Sequence, residues 1–367
     1  MSDFIVVGAG AIGMLTALAL RQRGYAVTLI DRQQAGRESS WAGGGILSPL
    51  YPWRYADPVN ALARRAQQLY PALVAELRET TGVDPEYVQS GLLMLDGDES
   101  GQALEWSERH GAVLRLLAAD EVAGVQAGLA GVQAAARWMP DVAQVRNPRL
   151  VRALRAAVVA GGARLIENAE VERIELRGGR VSGVFADGRR LAADAVVMAA
   201  GAWSRRLWSE LPMPPAIQPV RGQMLVLNAP GSGIVRIVMR GGRYLIPRRD
   251  GRIVVGSTVE DTGFEKRPTD EARASLHAFA LELAPGLRGM PVEHHWAGLR
   301  PGAPGGIPYI GAVPGAEGLF LHAGHFRNGL VMGPASTELL LDIIEARTPK
   351  VDALPYALSA PRMEELH

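Results

Sequence analysis

The stretch Phe4-Ile5-Val6-Val7-Gly8-Ala9-Gly10-Ala11-Ile12-Gly13 decides the fold. Phe4 to Val7 is an apolar run without alternation, as in a parallel strand buried on both faces. Glycines spaced G-x-G-x-x-G follow. Ala11 to Arg23 then carries Ile12, Leu15, Leu18 and Ala19 at helical spacing, closed by Gly24. Val27 to Ile30 reads as a second buried strand ending at Asp31. Strand, glycine turn, helix, strand and acid make a βαβ unit. Gly8 permits the tight turn, Gly10 lets the backbone approach a pyrophosphate, and Gly13 lets helix and strand pack closely. The helix start, at Ala11 and Ile12, favours phosphate charge. Asp31 lies 18 residues beyond Gly13, placed to accept from ribose hydroxyls, and its charge disfavours a 2′-phosphate. A dinucleotide is expected, NAD or FAD.

Further along, Arg37 to Gly45 is polar and then glycine-rich, and Ala56 to Thr80 reads as a helix with Leu62, Leu69, Leu73 and Leu77 on one side. Leu92 to Leu95 reads as a strand and Asp120 to Val125 as a short helix start. Pro148 to Ala160 reads as a helix with proline in its first turn, leading to Arg164-Leu165-Ile166 and a hairpin through Gly178-Gly179. Asp194 to Ala199 is another buried strand. Met224 to Leu227, Arg243 to Pro247 and Arg252 to Gly256 fit an antiparallel sheet turning at Asp250-Gly251. Phe320 to Ala323 resumes the buried-strand pattern, and a helix is expected from Gly329 to Ile344. The expected class is α/β (α+β overall), a Rossmann-type βαβ domain with an inserted antiparallel-sheet substrate domain. Segments 1–82, 141–213 and 296–360 are assigned to the nucleotide domain, and 83–140 with 214–295 to the insertion.

Composition narrows the function classes. With 39 basic against 38 acidic residues, no field of one sign favours nucleic acid. The chain has no cysteine, which excludes disulfides, thiolate metal sites and a cysteine nucleophile. No apolar run approaches the ~20 residues that span a bilayer. Met1-Ser2-Asp3 has no basic leader region, so neither signal nor transit peptide is expected and a cytoplasmic setting is. Adjacent His294 and His295 on a strand would face opposite ways, which argues against a metal.

Two segments favour FAD over NAD. The dense glycines of Ala42-Gly43-Gly44-Gly45-Ile46, just after Gly36-Arg37-Glu38-Ser39-Ser40, let backbone N–H groups lie against a flat ring. His325-Phe326-Arg327-Asn328-Gly329-Leu330-Val331 offers a second helix start, which would stabilise the negative edge of a reduced flavin.

These segments together resemble a known family. Gly36 to Pro49, Ala199-Ala200-Gly201-Ala202-Trp203-Ser204, Pro219 to Gln223, Trp296 to Gly302 and Gly324 to Gly329 are similar to the glycine oxidases, within the D-amino-acid oxidase group of flavoproteins. One branch of that family supplies the imine for thiamine thiazole synthesis. The resemblance spans nearly the whole chain, in the family's order. It implies non-covalent FAD held by Gly8, Gly10, Ala11, Ile12, Gly13, Asp31, Arg32, Glu38, Ser39, Ser40, Gly44, Gly45, Ile46, Val171 (by its backbone near the adenine), Gly201, and His325, Phe326, Arg327, Asn328, Gly329, Leu330 and Val331. It implies an oxidase that takes a hydride from Cα of glycine, sarcosine or a small D-amino acid to flavin N5. The products would be an imino acid, hydrolysed to a 2-oxo acid and ammonia, and hydrogen peroxide. It also implies a homotetramer. The alternative within enzymes is a D-amino-acid or secondary-amine dehydrogenase passing electrons to a quinone.

A substrate carboxylate needs a fixed cationic fork, which arginine supplies better than lysine. Arg300, between glycine and proline neighbours, is the first candidate, and Tyr244 the second, as a hydroxyl donor to the same carboxylate. Both match the family's carboxylate clamp, and Arg327 matches a residue near the substrate amine and the flavin edge. No general base is assigned, because hydride removal from a neutral amine needs none. Leu47, Val259 and Tyr51-Pro52-Trp53-Arg54-Tyr55 are candidates for the pocket wall or lid, the aromatic run being equally compatible with packing.

Overall fold

A computed structural model describes residues 3–96, 99–208, 211 and 213–362; Met1 and Ser2, on which the reading of the leader rests, lie outside the described residues. The chain opens with β1 (Asp3–Val7), α1 (Ala11–Gln22) and β2 (Ala26–Ile30). Then come α2 (Ser39–Ala42), α3 (Asp57–Thr81), β3 (Leu92–Met94), α4 (Ser100–His110), β4 (Arg115–Leu117), α5 (Val122–Val125) and β5 (Ala136–Met139). The middle of the chain forms α6 (Asn147–Ala160), β6 (Arg164–Ile166), β7 (Val171–Arg177), β8 (Arg180–Ala186), β9 (Arg189–Ala192) and β10 (Ala195–Met198). The remainder is β11 (Gln218–Asn228), β12 (Ile237–Arg240), β13 (Arg243–Pro247), β14 (Arg252–Gly256), α7 (Asp270–Leu283), β15 (Val292–Gly302), β16 (Tyr309–Ala312), β17 (Leu319–Ala323) and α8 (Gly329–Ile344).

The six-stranded sheet runs β16-β17-β10-β1-β2-β6, parallel except for β16. Its unbroken apolar strands follow from cover on both faces. Val6, Leu29 and Val197 pack beneath α1, α3, α6 and α8, whereas Ile5, Val7, Ile30, Val196 and Met198 meet the β7–β9 meander. α8 continues through Pro334, which has no N–H for the Leu330 carbonyl. The Tyr70 hydroxyl of α3 donates to that carbonyl instead, at 2.6 Å.

The second sheet runs β15-β11-β14-β13-β12-β3-β5-β4 and is antiparallel apart from the β12–β3 pair. On one face Leu225, Leu245 and Val255 bury Leu276, Phe279 and Leu283 of α7. On the other, Met94, Met224, Tyr244 and Ile246 pack against Leu50 and Tyr51. The expected α/β fold with an antiparallel sheet inserted is the one observed. α2, α4, α7, β4, β5, β9, β12 and β16 are additions to the sequence reading, although Thr269 gave a signal for α7: its hydroxyl caps the Ala272 N–H. The boundary drawn between 295 and 296 falls inside β15, which pairs with β11 from Val292 opposite Leu227 to Gly302 opposite Gln218.

Candidate active site

One long cleft opens at the carboxyl ends of β1, β2, β10 and β17, lined there by Val7, Ile30, Ala199 and Ala323. Ligands bind in this position in open α/β sheets. The glycine turn explains itself sterically. Gly8 has φ +103°, and a Cβ on it would stand 2.4 Å from the Ala199 carbonyl oxygen; one on Gly13 would stand 1.8 Å from the Gly8 oxygen. Gly10 meets only Ser40 Oγ, at 3.1 Å, and lies in the cleft wall. Ser40 Oγ accepts from the Ala11 N–H at 2.8 Å, so the serine covers the first amide of α1. Asp31 is tied to the turn: its oxygens accept from the Ala9 N–H at 2.7 Å and the Gln33 N–H at 2.8 Å. Burial pushes its carboxyl above the usual range, against the opposing pull of those amides. Glu38 accepts from Arg32, Gln33 and Lys266, and the Arg32 guanidinium lies 3.9 Å from the centre of the Trp203 ring.

The glycine-rich bed is wedged between β13 and the start of α6. A Cβ on Gly44 would lie 2.8 Å from Ile246 Cδ1, and one on Gly45 (φ +78°) would lie 2.0 Å from the Val145 oxygen. The bed's carbonyls face the protein: Ala42 O accepts from Trp296 Nε1, Gly44 O from Arg248 Nη2, and Gly45 O from the Val145 N–H. In a trans peptide the N–H points opposite to its C=O. The amides of Gly45 and Ile46 therefore turn to the cleft side, and among the described residues no acceptor meets them.

His325 to Leu330 line the cleft at the start of α8. Behind them is a buried polar chain the sequence reading missed. Thr16 Oγ1 lies 2.9 Å from His322 Nδ1, His322 Nε2 lies 3.0 Å from Ser336 Oγ, and His325 Nε2 lies 3.1 Å from the same oxygen. Burial pushes His325 down to about 3 and His322 well below the ordinary histidine value, so both rings are neutral.

Arg300 and Tyr244 both reach the cleft, on one face of the second sheet. Arg300 donates to the carbonyls of Arg221 (3.3 Å) and Thr258 (3.1 Å) and to Ser257 Oγ (2.9 Å), all neutral acceptors. Glu260, the acid nearby, is engaged by Arg221. Among the described residues no carboxylate pairs with Arg300 or with Arg327, which also lines the cleft. Burial, with the Arg327 charge adding to it, lowers the Arg300 guanidinium to about 10. Among the described residues the Tyr244 hydroxyl has only the Met224 sulfur, at 3.9 Å, as partner. Two glycines missed from sequence make room for the pair. A Cβ on Gly222 would strike Arg300 Nη1 at 2.1 Å, and one on Gly256 would come 2.9 Å from the Tyr244 oxygen. A glycine inside a strand is the signal for such close approach.

The cleft wall includes every residue expected to hold FAD except Gly13, which packs behind the turn, and Val331, which is buried in the helical core. Val171 and Gly201 are in the wall. Of the pocket candidates, Leu47 lines a separate cavity and Val259 is 54% exposed. Within the aromatic run, the Tyr51 hydroxyl bonds Asp96 and Trp53 Nε1 donates to Glu99 at 2.5 Å, whereas Tyr55 is near enough to Arg300 to act on its charge. Leu50 and Ser48, just before it, do line the cleft.

A family model described as DAO, FAD dependent oxidoreductase, matches residues 3–343. A glycine oxidase of Pseudomonas aeruginosa is 50% identical over 355 residues, covering 96% of this chain and 97% of that protein. The crystal structure of a glycine oxidase from Bacillus cereus superposes with a TM-score of 0.90 at 29% identity, covering 98% of this chain and 99% of that one. A bifunctional protein ThiO/ThiG of Synechocystis is 32% identical over 98% of this chain, which spans 54% of that protein.

Proposed function

The chain belongs to the DAO family of FAD-dependent oxidoreductases, and on that premise we propose that it oxidises glycine, sarcosine or small D-amino acids to imino acids. Two electrons and two protons leave the amine and reduce oxygen to hydrogen peroxide. FAD, when bound, supplies the two-electron acceptor. Support for FAD in this cleft comes from the tight turn that only glycine allows at Gly8, from Gly10 in the cleft wall with no side chain to obstruct a close approach, and, among the described residues, from the unengaged amides of Gly45 and Ile46. Gly8, Gly10, Asp31, Glu38, Ser40, Val171 and the His325–Leu330 turn would hold it.

The observation that carries the substrate reading is the Arg300 guanidinium, charged, turned to the cleft and matched by no acid among the described residues. A buried cation without a counter-ion is costly, and a substrate carboxylate removes that cost. Its planar fork takes both carboxylate oxygens, and the Tyr244 hydroxyl adds a donor. Positive charge from Arg327 beside Arg300 disfavours a protonated amine, so the amine is held neutral with its lone pair available. Met224, Leu50 and Ile46 give this part of the cleft an apolar wall that keeps water out. The imine is suited to feed a thiazole-forming step, and the assembly proposed is a homotetramer.

The test is an absorption spectrum and a peroxide assay. A yellow protein that forms peroxide with glycine in air is expected, and Arg300→Met should raise KM for glycine by about 100-fold, as when one partner of a buried charge pair is removed. A colourless protein, or an Arg300→Met enzyme with unaltered KM, overturns the reading. Turnover with a quinone but not with oxygen would make it a dehydrogenase.

A further inference from the structure

Arg248 closes the β13–β14 hairpin, its N–H donating to the Arg252 carbonyl at 2.8 Å, so its backbone is held. Its side chain turns inward to three neutral oxygens. Nη1 donates to Gln144 Oε1 at 2.7 Å and to the Val145 carbonyl at 3.0 Å, and Nη2 donates to the Gly44 carbonyl at 2.7 Å. The acids nearest to it are engaged elsewhere, Glu86 by Arg146 and Arg149, and Asp250 by Arg146 and Arg252. The Arg248 charge is therefore not neutralised by a carboxylate and acts on the peptide it touches. Its neighbour Arg249 is different: exposed and paired with Asp84 at 2.8 Å.

A charged donor on a carbonyl polarises the whole amide, and the N–H on the far side becomes a stronger donor. Here the far side is the Gly45 N–H, directed to the cleft and without an acceptor among the described residues. We propose that Arg248 is a positioning residue for the cofactor: through the Gly44–Gly45 peptide it delivers positive charge to the flavin ring and raises its affinity for electrons. This rests on the reading that the glycine bed faces the flavin. Arg248 is not among the residues that line the cleft, so its guanidinium would act without touching the cofactor. Its effect comes from the dipole it orients and from the fixed position of the bed, which no longer adjusts when the ring takes up charge.

The experiment is the midpoint potential of the bound flavin in the purified holoenzyme, with FAD dissociation measured beside it. Arg248→Met should lower the equilibrium for two-electron reduction about tenfold, read as a fall of about 30 mV. Arg248→Gln keeps an amide donor for the Gly44 carbonyl but loses the charge; it should fall equally, and it carries the test if Arg248→Met does not fold. Arg248→Lys should keep the potential, and Arg249→Met, which removes a charge one residue away, should not move it. An unchanged potential in Arg248→Gln overturns the proposal, as does an equal fall in Arg249→Met. A wild-type protein without flavin would instead sink the assignment of the cleft, and the proposal with it. A yellow wild type with unaltered variants sinks the proposal alone.

Discussion

Gly222 shows how a single atom governs the anchor. It sits in β11 without a positive φ, so alanine fits its backbone, yet the added Cβ would overlap both terminal nitrogens of Arg300, at 2.1 and 2.2 Å. The flexible guanidinium must move. Gly222→Ala is expected to keep the fold and the flavin colour while raising KM for glycine at least tenfold, a misplacement effect of ordinary size. Steady-state kinetics beside a circular dichroism spectrum check it, and an unaltered KM would refute the crowding argument. The sequence made Arg300 and Tyr244 legible because carboxylate chemistry asks for those groups. Gly222, Gly256 and Arg248 were not legible, because each matters through a side-chain contact with another strand or loop, Gly256 with its hairpin partner Tyr244 and the other two with distant segments, and Arg248 reads no differently from Arg249 beside it.

Among elements, the junction of α1, β17 and α8 depends on neutral histidines. His322 and His325 titrate near 6.5 in an unfolded chain, but burial holds His325 at about 3 and depresses His322. Below pH 6.5 the unfolded state therefore binds more protons than the folded state, and stability falls as pH falls. The slope is up to about 1.4 kcal/mol per pH unit for each histidine. A thermal midpoint that drops from pH 7 to pH 5 is expected, less steeply in His325→Asn. A flat midpoint would contradict the assigned burial. The helices themselves were readable, since α1, α3, α6 and α8 show their apolar spacing and their prolines or glycines at the ends. The polar chain linking them was not, because Thr16 is 306 residues from His322 in sequence and each member is ordinary one by one. Likewise nothing local to Pro334 announces that Tyr70 will cover for its missing N–H.

For the whole molecule, β15 is the decisive strand. It carries Arg300 and belongs to the second sheet, while Gly298 on the same strand abuts α2, where a Cβ would come 2.6 Å from Ala42 Cβ. The two sheets thus share structure along the cleft. Far-ultraviolet dichroism and flavin fluorescence should lose their native signals at one temperature; two separated transitions would show independently melting halves. The sequence disclosed both halves, the first by its fingerprint and the second by its strands and turns. It did not disclose this joint, since the boundary drawn between 295 and 296 falls inside β15, whose pairing with β11 depends on residues far away in the sequence.

Because β15 braces both the anchor and the nucleotide bed, turnover is expected to tolerate immobilisation of the protein on a solid support better than in enzymes that clamp by rotating whole lobes.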